Sequence, residues 1–77
     1  MSLWISCQSG SEVSASAQSA SHDFVHGELE ATLDRLGREG LRVRNVLRNG
    51  EPAWDVLDSV GLVKATYWIS RGGEQRA

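Results

Sequence analysis

His22, Asp23, His26 and Glu30, in the stretch SHDFVHGELE, are the residues whose types and spacing come nearest to a reactive centre. If the segment is helical, the two imidazoles stand one above the other and Glu30 follows a further turn along. At about 100° per residue, all three side chains converge on one flank. Two nitrogens and a carboxylate are the donors that a divalent transition metal takes. Cys7 is the other group with chemistry of its own, and its sequence neighbours offer no base to make the thiol a nucleophile.

The histidine spacing resembles the H-E-x-x-H helix of zinc peptidases, whose glutamate acts on a metal-bound water. The acid here is Asp23, which is shorter, and that family also needs a third ligand and a cleft for an extended substrate. His22 falls at a helix end, where fraying opposes rigid coordination. The expectation is a helix cap with one partly buried and one solvated imidazole, no metal and no cofactor; His22, His26 and Glu30 are the alternative ligand set. Neither a glycine-rich phosphate loop nor a nucleophile elbow occurs elsewhere, so the chain is expected not to be an enzyme.

The element that carries the histidines is the plainest in the sequence. Val25, Leu29, Leu33 and Leu36 recur at helical spacing, Ser21 or Asp23 suits the N-cap, and Gly40-Leu41 suits a glycine stop. Residues 3–7, LWISC, read as a strand. Residues 8–21 are serine- and alanine-rich, a loop or a weak strand over 13–17. Leu41-Arg42-Val43-Arg44 alternates as a strand does, and Asn49-Gly50 signals a tight hairpin into a partner strand at 53–57. The rival for residues 52–60 is a helix begun by Pro52, with Trp54, Leu57 and Val60 on one face. Leu62–Ile69 reads as the last strand, and 71–77 as a polar tail. The echo between LWIS and YWIS suggests two similar strands that are neighbours in one sheet.

Arg35, Arg38, Arg42, Arg44 and Arg48 fall in a window whose only acid is Glu39, although the whole chain has net charge −2. Arg42 and Arg44 share one side of their strand, and the helix-end arginines could join them in one anion-binding patch. Residues 29–57 (helix, Gly-Leu, basic strand, Asn-Gly hairpin) resemble the recognition helix and wing of winged-helix regulators. The preceding helices of that family are missing, and Glu28, Glu30 and Asp34 make this helix acidic, so membership is not assigned. Trp4, Trp54, Tyr67 and Trp68 are the aromatic resource. Tyr67 and Trp68 are adjacent and point to opposite sides of a strand. Trp4, Trp54 and one of that pair are expected in the core, leaving the other beside an arginine as an interface anchor.

A chain of 77 residues makes one small domain, and the reading is α+β: one amphipathic helix on a mostly antiparallel sheet of roughly three to five strands. The lone cysteine excludes an intrachain disulfide; no apolar run has membrane-spanning length, and the start lacks the pattern of a secretory signal. The cytoplasm is the expected compartment. The expected function is that of a small regulator or inhibitor that binds a larger protein, such as a phage or mobile-element accessory protein supplies, with a homodimer also in view. Its interface residues would be Arg42, Arg44, Trp68, Arg48 and Trp54. The alternative is a nucleic-acid-binding accessory protein that uses Arg35, Arg38, Arg42, Arg44 and Arg48.

Overall fold

Ser21 opens the helix. Its backbone is extended (φ −91°, ψ 117°), and its hydroxyl accepts from the Phe24 amide at 3.2 Å. One of the donors that a first helical turn leaves bare is thereby satisfied. In the computed structural model, which describes residues 2–72, this helix, α1, is His22–Arg38. Gly40, at φ 93°, stops it. The Leu41 amide returns to the Leu36 carbonyl at 3.2 Å, and the Gly40 amide to the Gly37 carbonyl at 3.1 Å. These are the two bonds of a Schellman stop, which glycine closes without strain.

The strands are β1 (Ser2–Ser9), β2 (Glu12–Ser19), β3 (Arg42–Arg48), β4 (Glu51–Leu57) and β5 (Val63–Gly72). They form a five-stranded sheet in the order β2-β1-β5-β4-β3, with every neighbouring pair antiparallel. The fold is therefore α+β. The serine-rich segment is a strand because β1 supplies its ladder. Asn49 and Gly50 take φ 54° and 81°, as a type I′ hairpin turn requires. The helical alternative over 52–60 is overturned: Trp54 and Val56 pair with Asn45 and Val43 on one side and with Tyr67 and Ala65 on the other. Gly61, at φ 90°, belongs to the following turn rather than to a helix end. The echoing segments do lie side by side, Ile5 opposite Ile69. Arg71 and Gly72 continue β5, and residues 73–77 of the expected polar tail lie outside the described residues.

The core lies between the helix and one face of the sheet. Leu3, Ile5, Val25 and Leu29 are buried together, with Leu33, Trp54, Tyr67 and Ile69 packed against them. One helix, about 10 Å across, cannot cover a sheet about 19 Å wide. Val43 and Leu47 of β3, on the side of the helix, therefore stay 38% and 74% exposed. No helix among the described residues is long and apolar enough to cross a membrane, and none accompanies α1 as the winged-helix pattern would require.

Candidate functional site

Strand alternation sends the residues next to the core to the sheet's other face, which no element among the described residues covers. From β1 these are Trp4, Ser6 and Gln8; from β5, Thr66, Trp68 and Ser70. Across β4 and β3 they are Ala53, Asp55, Arg42, Arg44, Val46 and Arg48.

The centre of this face has a local two-fold pattern. Trp4-Ile5-Ser6 runs against Trp68-Ile69-Ser70, so Trp4 stands opposite Ser70 and Ser6 opposite Trp68. The Ser6 and Ser70 hydroxyls are 2.5 Å apart, one donating to the other. Ser6 is only 4% exposed, and Ala53 is buried. The register sets Trp68 between Ser6 and Ala53, so these two small residues flank its indole and are covered rather than open. The Arg48 guanidinium lies 4.0 Å above the Trp68 ring. Such a stack contributes about 0.5–1 kcal/mol at an exposed site, and it holds a flexible cation flat.

Beside it, Asp55 accepts from Arg44 Nη2 at 3.1 Å and from the Thr66 hydroxyl at 2.8 Å. The aspartate side chain is 15% exposed and that of Arg44 58%, so the carboxylate is held and the guanidinium reaches out to it. Arg44 is thereby locally neutralised. Among the described residues neither Arg42 nor Arg48 is ion-paired, although Arg48 faces Glu51 in the register.

The five arginines do not form one patch. Arg38 pairs with Asp34 at 2.6 Å along the helix, and Arg35 acts on Tyr67 on the helix side. The sheet separates them from Arg42, Arg44 and Arg48, because α1 packs on the face from which the strand arginines point away. Trp54, expected in the core and also named for an interface, packs against the core, edge-on to His26 at 6.3 Å between ring centroids. Trp4, expected in the core, shares the uncovered face with Trp68. Sequence reasoning also passed over Ser6, Ser70, Asp55 and Thr66. The LWIS–YWIS echo could have found the serines, but Asp55–Thr66 needs the register.

The histidine flank is a stacked pair. The His22 and His26 rings lie 5.7 Å apart, and His26 Nδ1 is 3.8 Å from Glu30 Oε2. His26 is the half-buried one; His22, at the first helical position, is exposed. Among the described residues no three His, Cys, Asp or Glu side chains gather as a metal would need. On the helix side Cys7 is opposite Tyr67. Burial pushes the Tyr67 phenol above its usual range, and hydrogen bonding with the Cys7 thiol adds to the shift.

Comparison with known proteins finds no family model, no curated protein and no solved structure that matches this chain.

Proposed function

We propose that the chain is a small non-enzymatic regulator that works by docking a larger protein on the uncovered face of its sheet. The observation that carries this reading is the Arg48–Trp68 stack on the uncovered face, which Trp4 shares. Tryptophan and arginine dominate binding hot spots, and both are here positioned in advance, which lowers the entropy lost on association.

A nucleic acid is less well served. The strand arginines offer two unpaired cations rather than a stripe, and Arg48 already occupies one face of the Trp68 ring that a base would stack on.

The test is capture of partners from host lysate by the wild-type chain and by Trp68→Ser, each with and without nuclease. A protein retained through nuclease by wild type, and at least about tenfold depleted with a folded Trp68→Ser, is the expected result. Recovery of nucleic acid, loss of the partner on nuclease treatment, or equal capture by Trp68→Ser would overturn the reading.

A further inference from the structure

Two strands end the sheet, and they differ. β2, EVSASAQS, presents mostly small side chains. β3, RVRNVLR, has a sharper alternation: Arg42, Arg44, Val46 and Arg48 on the uncovered side, Val43, Asn45 and Leu47 on the helix side. Its outer amides and carbonyls have no partner strand among the described residues. Edge strands are guarded against pairing by brevity, bulges, inward charge or charged side chains along the edge. β3 has only the last of these, three arginines, which oppose a neutral or basic strand and favour an acidic one. It runs seven residues in unbroken register with β4, keeps its charge on one side, and leaves Val43 and Leu47 exposed beyond the reach of the helix.

We propose that β3 accepts an added strand from a partner: an extended segment with carboxylates beside Arg42 and Arg48 and apolar side chains that cover Val43 and Leu47. Backbone bonds would give such a complex its affinity, and the alternating side chains its specificity. The position beside Arg44 calls for no charge, because Asp55 already holds that guanidinium. A second copy of this chain fits worse. Two β3 strands run antiparallel about Asn45 would set Arg42 against Arg48 at both ends, and like charges directly opposite repel. The inference goes beyond the docking face around Trp68, and the two fail separately.

The probe is the end-capped heptapeptide Glu-Val-Thr-Val-Thr-Val-Glu, titrated into the full chain while amide exchange is followed residue by residue. Slowed exchange at alternate amides of Arg42–Arg48 is expected, in wild type and in Trp4→Ser alike, because Trp4 lies on β1, which β5 and β4 separate from β3. The same peptide with lysine for both glutamates should bind about tenfold more weakly, the factor expected of two exposed charge pairs. Arg42→Glu combined with Arg48→Glu should invert that preference. Successive N–H groups of a strand point to opposite edges, so N-methylation of the valines or of the threonines should abolish binding in one set and spare it in the other.

Equal binding of acidic and basic peptides would overturn the proposal, as would an equal response to the two methylation sets. So would protection centred on Trp4, Ser6 and Trp68, which would place the peptide on the open face. Outward β3 amides already protected in the free chain would give the edge to a second copy. Equal protection by a single-stranded oligonucleotide would reduce the recognition to charge.

Discussion

The two faces of the sheet are built from alternate residues of the same strands, yet they solve different problems. Toward the helix stand Leu3, Ile5, Trp54, Tyr67 and Ile69. One residue along from these stand Trp4, Ser6, Asp55, Trp68 and Ser70. Each face holds an indole beside a cation-capable side chain, His26 at Trp54 and Arg48 at Trp68. The difference lies in what satisfies the rest. The helix side removes branched apolar surface from water, about 25 cal/mol for each Å². The open side closes its polar groups on one another, serine on serine and aspartate between arginine and threonine. Around Ser6, Ser70 and Asp55 such a face can remain in water or dock without leaving a buried acceptor bare, while Arg42 and Arg48 keep donors for a partner. Stability should therefore concentrate on one side and recognition on the other.

The hardest test of that division is Leu29→Ala. Leu29 is fully buried between helix and sheet, and its truncation should cost about 3 kcal/mol, measured by urea unfolding. For a domain of this size that is a large share of the total, so a folded baseline must be secured in osmolyte. A cost under about 1 kcal/mol would mean that α1 is not the cover of the core. On the open face the effects should be smaller and local. Asp55→Ala should cost about 1–2 kcal/mol, because the Thr66 hydroxyl and Arg44 both lose their acceptor. Arg44→Ala should cost about 0.5 kcal/mol, and the double-mutant cycle should return a coupling below about 1 kcal/mol. Asp55 proving as costly as Leu29 would erase the contrast between the faces.

Much of this contrast was legible before the structure. The helix stripe, Ser21, Gly40 and Asn49-Gly50 each signal through local physics: a period, a cap, and positive φ at two successive turn residues. The assignment of Tyr67 and Trp68 to opposite sides follows from the pleat alone. What period two cannot say is which side the helix will choose, and there the sequence reading misplaced Trp4, which it put in the core with Trp54. That choice depends on strand order: β5 must lie between β1 and β4 before Ile5, Ile69 and Trp54 fall on one surface. The same missing order made one patch of five arginines that the sheet divides. Strand β2 was ambiguous because serine and alanine give weak alternation, and its pairing partner β1 decides it.

The smallest effect concerns the turn that feeds β4 into β5, where the register shifts between Val56 and Leu57 and thereby sets which side the last pair faces. Asp58 holds that turn. Its carboxylate accepts from the Leu62 amide at 3.0 Å and from the Val60 amide at 2.9 Å, and its own amide donates to the Leu62 carbonyl at 2.9 Å. The Leu62 bond is the main reason that its carboxyl titrates below the usual range; desolvation, next in size, opposes it, and the Val60 bond and the charge of Lys64 act with it. A folded pKa below the unfolded one means that the charged form supports the fold. The support is complete above the unfolded value, near 3.9, and disappears as pH falls through the folded one. Asp58→Asn keeps an acceptor but cannot titrate. Wild type should therefore be slightly the more stable at pH 7, and the gap should close as pH drops from about 5 toward about 2. Because every other acid titrates alike in the two chains, the difference isolates this one carboxylate. A gap that stays constant over that range would mean that the amides are held by the shape of the turn rather than by the charge, leaving Gly61 at φ 90° and the 3.0 Å bond from its amide to the Asp58 carbonyl to fix the register.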